Sequence, residues 1–293
     1  MRGWWQDLTD LVLPAECGGC GTARSVLCPR CRTALNGGAP RRVRPVPEPP
    51  GLPVVHAAAR YADEVRAALL AHKERGVLAL TAPLGAALAG AVRAGLREAG
   101  AGVGDTGPVG RRRPVLLVPV PSARRAVRTR GHDPARRIAL AAARELRRTG
   151  GSARVLAVLR QRHAVADQSG LGARQRLDNL AGALAVVPGG GRLLGGGGPV
   201  VLVDDLMTTG ASLTEAARAV RTERTDSAEW GTGPATYRTV KSAVYPSAAG
   251  EGREERKTGP RMAGPNGGGG VISEAICAAV VAASPDSFEI NRN

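Results

Sequence analysis

One segment, residues 200–212, constrains the fold of this 293-residue chain more than any other. It begins with the four apolar residues 200–203, which predict a short buried strand. Two adjacent carboxylates, Asp204 and Asp205, follow at the carboxyl end of that strand. This is the edge at which open α/β sheets bind their ligands. The segment therefore predicts both a parallel sheet and a ligand site.

The loop behind the acidic pair carries groups that suit a phosphate. Gly210 allows a tight turn, so that backbone N–H groups and nearby hydroxyls can face one anion at the start of the next helix. The loop residues concerned are Thr208, Thr209, Gly210, Ala211 and Ser212. Two carboxylates beside such a loop suit a sugar diol, or a metal ion on a second phosphate. A helix N-cap needs only one carboxylate, so the pattern favours a ligand site over a simple cap.

Other segments alternate between helix and strand patterns. Residues 62–71 and 82–99 have helical patterns, and residues 115–120 predict a second buried strand. Asp133 and Pro134 then predict the start of a helix, and residues 212–221 predict another after the acidic pair. This alternation predicts an α/β fold with a parallel sheet.

Four of the five cysteines lie within fifteen residues, as two Cys-x-x-Cys pairs separated by seven residues. Four thiolates at this spacing predict a closed, structural zinc site, with the ligands Cys17, Cys20, Cys28 and Cys31. A redox pair or unligated thiols are the alternatives, but a redox pair would not usually occur twice. Cys277 stands alone in an apolar run, and we expect it to be a small buried hydrophobic residue.

The chain is strongly basic, with 41 Lys and Arg against 25 Asp and Glu and a formal net charge of +16. Such a field attracts phosphorylated molecules and nucleic acid. Aromatic residues make up only 2%, which argues against a platform that stacks bases. A predicted mobile loop carries Arg124, Arg125, Arg128 and Arg130. These arginines could contact pyrophosphate, contact DNA phosphates, or form a solvated face.

Composition divides the chain into five parts. They are a zinc ribbon (1–35), a Pro/Gly linker (36–53), the α/β domain (54–221), a disordered insertion or stretch read in another frame (222–270), and a resumed strand with a tail (271–293). The resumed strand is expected over residues 275–283. No run of 18 apolar residues and no signal-peptide pattern is present. We therefore expect no membrane insertion, and thiols held for metal fit a reduced cytoplasmic compartment.

Residues 200–212 resemble the phosphoribosyl pyrophosphate (PRPP) signature of type I phosphoribosyltransferases. Other residues narrow the resemblance to one family. They are the four cysteines, the Val-Pro-Val-Pro-Ser run at 118–122, the Arg-Gly-His-Asp run at 130–133, Gln168 and Asn179. Over about residues 1–221 the chain resembles the ComF family, which is associated with competence for DNA uptake in bacteria. The family's usual Arg-Gly-Phe-Asn-Gln reads Arg-Gly-His-Asp-Pro at 130–134, so a loop that often closes over the substrate is expected to differ.

The resemblance implies a type I phosphoribosyltransferase-like sheet, preceded by the zinc ribbon. Asp204 and Asp205 would be the catalytic pair and hold the ribose 2′- and 3′-hydroxyls. The 208–212 loop would bind the 5′-phosphate, Lys73 would lie by the pyrophosphate loop, and Mg²⁺ would bridge pyrophosphate and ribose oxygens. Two functions stay open. One is phosphoribosyl transfer from PRPP in nucleoside metabolism. The other is a non-enzymatic role in DNA uptake with single-stranded DNA and a helicase-like partner.

Overall fold

A computed structural model describes residues 16–101, 113–163, 172–195, 198–230 and 276–288. Its first half contains α1 (Pro29–Asn36), β1 (Arg41–Val43), β2 (Val55–Arg60), α2 (Asp63–Lys73), α3 (Thr81–Glu98), β3 (Val115–Pro119), α4 (Arg124–Arg130) and α5 (Pro134–Arg148). Its second half contains β4 (Ala153–Val155), β5 (Leu159–Gln161), α6 (Ala173–Leu180), β6 (Leu184–Val186), α7 (Gly190–Leu194), β7 (Val200–Met207), α8 (Ala211–Trp230) and β8 (Ile276–Ala283). Short 3-10 turns occupy Leu78–Leu80 and Pro285–Phe288.

Six strands form one sheet in the order β1-β2-β8-β7-β3-β4. The edge strand β1 is antiparallel to β2, and every other neighbouring pair is parallel. Strands β5 and β6 form a separate antiparallel hairpin. The predicted α/β fold with a mostly parallel sheet is confirmed.

Both faces of the central strands are covered. Leu117, Val201 and Ala279 belong to the apolar cluster that includes α3 and α5, while Leu116 and Leu202 belong to the cluster that includes α8. Alternate residues of one strand point to opposite faces. This double burial explains why β7 and β8 are nearly continuous runs of apolar residues rather than alternating ones.

The helices predicted before and after β3 are present. Asp133 caps α5, because its carboxylate accepts a hydrogen bond from the Arg136 backbone N–H at 3.2 Å. Among the described residues, one helical stretch, Leu78–Glu98, is long and apolar enough to cross a membrane, and half of it is buried within the protein. It packs on α5 and β8, so it serves as a core helix here.

The segment predicted as a linker is part of the fold. Residues 36–53 include β1, and the backbone N–H of Arg44 donates to the Ser287 carbonyl at 2.9 Å. Prolines are tolerated in this segment because β1 lies at the sheet edge. The cysteine segment also packs directly on the domain, since one buried cluster contains Cys31 and Leu35 together with Leu80 and Leu84. The N-terminal part is therefore not held at a distance by a spacer.

The chain returns to the sheet after α8. This helix continues to Trp230 instead of ending at residue 221, and the rest of the predicted insertion lies outside the described residues. Strand β8 then pairs in parallel with β2 on one side and β7 on the other. The resumed strand is thus a central strand, with all eight of its residues buried.

Candidate functional site

The acidic pair lies near the carboxyl end of β7, next to the central strand β8. Asp205 is buried, with 6% of its surface exposed, and Asp204 is partly exposed. The Asp204 carboxylate accepts a hydrogen bond from the Asp205 backbone N–H at 2.8 Å. Lys73, at the end of α2, places its Nζ 3.3 Å from Asp205 Oδ2. The structure therefore brings together three of the residues that the sequence singled out.

One lysine does not offset the charge of two adjacent carboxylates. Burial raises the pKa of Asp204 well above its ordinary value, and the neighbouring charge of Asp205 raises it further. Asp205 also raises the pKa of Lys73, more than burial lowers it, so the ammonium stays charged at neutral pH. Asp204 is thus the carboxylate whose ionisation the site resists. Hydroxyl donors or a cation from a ligand would stabilise its charged form.

The loop after β7 forms a small pocket of about 30 Å³, close to the space that one water-sized group needs. Its lining includes all five predicted loop residues, Thr208, Thr209, Gly210, Ala211 and Ser212, together with Asp204. Gly210 has φ +76°, and a Cβ there would lie 3.0 Å from Leu52 Cδ1. Helix α8 begins at the next residue, so its N-terminal end faces this pocket. We call these five residues the cradle.

Arg176 reaches the cradle from α6, and no local sequence pattern predicts its role there. Its Nη1 donates a hydrogen bond to Thr208 Oγ1 at 3.2 Å. Leu177 and Leu180 of the same helix pack with Ala211, the first residue of α8. The position of Arg176 therefore depends on how α6 docks on α8, which a linear pattern does not contain.

The segment that carries Lys73 is held from the other side by residues 130–132. Arg130 donates from Nε and Nη2 to the two carboxylate oxygens of Glu74, at 3.1 and 3.0 Å. The ring of His132 places Nε2 3.3 Å from the His72 carbonyl oxygen and Nδ1 3.1 Å from that of Arg130. This contact fixes the backbone next to Lys73.

The arginine segment is a helix and not the predicted mobile loop. Residues 124–130 form α4, which ends at Gly131 with φ +74°. Arginine is a good helix former, and its side chains can extend into water on all sides of a short helix. Arg124 and Arg128 line a cleft of about 380 Å³ with Asp133 and Arg160, whereas Arg125 is exposed outside it. Arg130 forms an ion pair with Glu74, so the four predicted arginines do not share one surface or one cleft.

The four N-terminal cysteines form one cluster. Their sulfur atoms all lie within 4.8 Å of one another. A zinc ion bound to four sulfurs at 2.3 Å would hold them about 3.8 Å apart, which this arrangement fits. Hydrogen bonds that the Cys20 sulfur accepts from Thr22 lower the pKa of Cys20 to about 6, so that its thiolate, the form that binds metal, predominates at neutral pH. The cysteines are close enough to hold a metal ion.

Neither protein-family models nor curated proteins give a match to this chain. Of the residues that carried the resemblance, Asn179 lies on α6 and Gln168 lies outside the described residues. The function must therefore be argued from the acidic pair, the cradle and the cysteines themselves.

Proposed function

We propose that the chain is a PRPP-binding, type I phosphoribosyltransferase-like protein related to the ComF family. One observation carries the proposal: Asp204, Asp205 and Lys73 meet beside the small pocket of the cradle, near the carboxyl end of a central parallel strand. Two neighbouring carboxylates accept hydrogen bonds from the two adjacent hydroxyls of a ribose. Those donors would relieve the charge that raises the pKa of Asp204.

The same arrangement would also suit the other groups of PRPP. The cradle would bind the 5′-phosphate through backbone N–H groups and hydroxyls. Mg²⁺ bound with PRPP would supply positive charge that neutralises the leaving pyrophosphate. In the transfer, the C1–O bond to pyrophosphate breaks through an oxocarbenium-like state, and C1 bonds to an acceptor that loses its proton. The contribution of the chain is to position the ribose and exclude water.

Zinc is the metal proposed for Cys17, Cys20, Cys28 and Cys31. Four sulfur ligands leave no open coordination position, so the role of the ion would be structural. Thiols held for metal suit a reducing compartment, and the cytoplasm is the proposed location.

Calorimetric titration with PRPP and Mg²⁺ tests the proposal. We expect saturable binding by the native chain. The double substitution Asp204→Asn and Asp205→Asn should weaken binding at least about tenfold, because each lost charge-assisted hydrogen bond costs roughly 1.5–3 kcal/mol. Asp178→Asn, at an exposed position on α6, is the matched control for the loss of a negative charge. Equal affinity in the native chain and the double variant would refute the assignment.

A second candidate function, DNA uptake without catalysis, rests on α4. Arg124, Arg125 and Arg128 are exposed there, and none has a carboxylate within 4.0 Å among the described residues. Such a face suits the phosphates of single-stranded DNA, brought by a helicase-like partner.

Binding of oligothymidylate at a series of salt concentrations tests this second candidate. Changing all three arginines to Gln should reduce the log–log salt slope by about 2, since each phosphate contact contributes about 0.7 for a single strand. The control changes Arg136, Arg137 and Arg144 of α5 to Gln, which removes the same charge from another exposed helix face. An equal reduction of the salt slope in both triple variants would show that DNA is attracted only by the overall positive charge.

A further inference from the structure

We propose that Arg176 is a ligand-binding residue of the cradle, where its guanidinium binds the phosphate that the cradle holds. The inference deepens the proposed function and rests on it for the identity of the ligand, a sugar phosphate. It is carried by the contact of Arg176 with the cradle, by a buried donor on the same side chain, and by the balance of charge.

The contact places the guanidinium at the edge of the cradle. Nη1 of Arg176 donates to Thr208 Oγ1 at 3.2 Å, and Thr208 lines the pocket. A hydroxyl oxygen that accepts this bond still has its own hydrogen to donate. An anion in the cradle could therefore be bound by the Thr208 hydroxyl and by the guanidinium together.

The side chain also has donors to spare. Nε of Arg176 is buried and has no hydrogen-bond partner among the described residues. A buried donor of a charged group without a partner is costly. Guanidinium presents its N–H groups in a planar fork that matches two oxygens of one phosphate.

Charge favours an anion at this position. Within the described ranges, no carboxylate lies within 4.0 Å of the Arg176 guanidinium. The other cation of the site, Lys73, is already paired with Asp205. The Arg176 charge therefore remains available to a ligand, on the side of the site where the cradle lies.

The packing of α6 against the start of α8 sets the position of Arg176 relative to the cradle. Leu177 and Leu180 pack against Ala211, which itself belongs to the cradle. Because α6 and the start of α8 share this small apolar cluster, the guanidinium and the cradle are positioned by one contact. A surface arginine on a free loop would not have this coupling.

Three probes separate the 5′-phosphate from the rest of PRPP: ribose 5-phosphate, pyrophosphate with Mg²⁺, and inorganic phosphate. Arg176→Gln should weaken ribose 5-phosphate and PRPP binding about tenfold or more, the effect of one lost charge-assisted contact. Pyrophosphate binding should change by less than about twofold, because the cradle does not hold that group. Arg176→Lys keeps the charge without the fork, and we expect an intermediate loss.

Arg174→Gln is the matched control, because Arg174 is exposed on the same helix. It should leave all three affinities unchanged. A Thr208→Ala background tests whether Arg176 acts only by orienting the threonine. A direct contact predicts a further loss on adding Arg176→Gln, whereas an indirect one predicts none. Melting temperatures identify any variant that loses its fold. If Arg176→Gln does not fold, the affinity of Arg176→Lys for ribose 5-phosphate decides the test.

The outcomes separate this inference from the proposed function. If the native chain binds ribose 5-phosphate and Arg176→Gln binds it equally well, or loses no more than Arg174→Gln, the inference is overturned and the proposed function stands. If the native chain binds neither PRPP nor ribose 5-phosphate, the proposed function falls. Inorganic phosphate binding that depends on Arg176 would then still support the anion site, and its absence would overturn both.

Discussion

Replacing His72 with Gln tests how tightly the segment beside the acidic pair is enclosed. His72 has no exposed surface, and its Nε2 lies 3.0 Å from Thr81 Oγ1. The pKa of His72 is lowered to about 4, mainly by burial. The nearby His132 and Arg137 contribute to the lowering, and Asp205 partly opposes it. Protonation of the imidazole therefore opposes the folded state.

The sign and size of the effect follow from linkage. The unfolded chain takes up the proton near pH 6.5 and the folded chain only near pH 4, so stability falls as the pH drops through this window. Between pH 7 and pH 5 the native chain should lose about 2 kcal/mol through His72 alone, at 1.36 kcal/mol per unit of pKa difference. The full loss by pH 4 approaches about 3 kcal/mol.

Urea unfolding at pH 7 and pH 5 measures this loss. Glutamine can keep a hydrogen bond to Thr81 but does not titrate, so His72→Gln should lose about 2 kcal/mol less than the native chain between these pH values. Other buried groups, including His56, act equally in both proteins and cancel in the comparison. His163→Gln, which removes an exposed imidazole, is the matched control variant. Parallel pH profiles for the native chain and His72→Gln would refute a buried, neutral His72.

Three further substitutions are expected to change the stability of the protein, two by lowering it and one by raising it. Cys28→Ser should abolish metal binding and also loosen the α/β domain, because the cysteine cluster shares its core; hydrogen exchange confined to residues 16–36 would contradict this. Asp204→Asn should raise the melting temperature at neutral pH while weakening PRPP binding, since ionisation of a carboxyl with a raised pKa opposes folding as pH rises; an unchanged or lower melting temperature would count against it. Gly85→Ala should destabilise the domain by about 1–3 kcal/mol in urea unfolding, because a Cβ there would lie 2.9 Å from the Ala141 backbone. The control is Gly90→Ala, where the added Cβ would lie 3.3 Å from Pro40 Cγ, and its free energy of unfolding should be nearly unchanged.

The sequence could predict the elements whose pattern is local. Strand β7 and helices α2, α3 and α5 follow from apolar runs, a cap and helical spacing. Strand β2 was not predicted, because its Val-His-Ala-Ala-Ala-Arg sequence contains good helix formers and becomes a strand only between β1 and β8. Strands β4, β5 and β6 have three residues each, too few to show a period.

The candidate site divides in the same way. Asp204, Asp205 and the cradle are consecutive, so one segment contains their signal. Only the resemblance to the ComF family points to Lys73 as a site residue. Its distance to Asp205 depends on how α2 meets the sheet. Arg176 and the pairing of Arg130 with Glu74 depend on contacts between elements far apart in the chain. No local pattern distinguishes these arginines from the others in an arginine-rich protein.

The central place of β8 has a consequence for biosynthesis. Of the described strands, this one leaves the ribosome last, yet it joins β2 to β7 and so completes the middle of the sheet. Until residues 276–283 emerge, β2 and β7 each present an open edge that can pair with another chain. The nascent chain is therefore exposed to aggregation in the interval between the emergence of β7 and that of β8. Its yield in cells should depend more on chaperone capacity than its final stability would suggest.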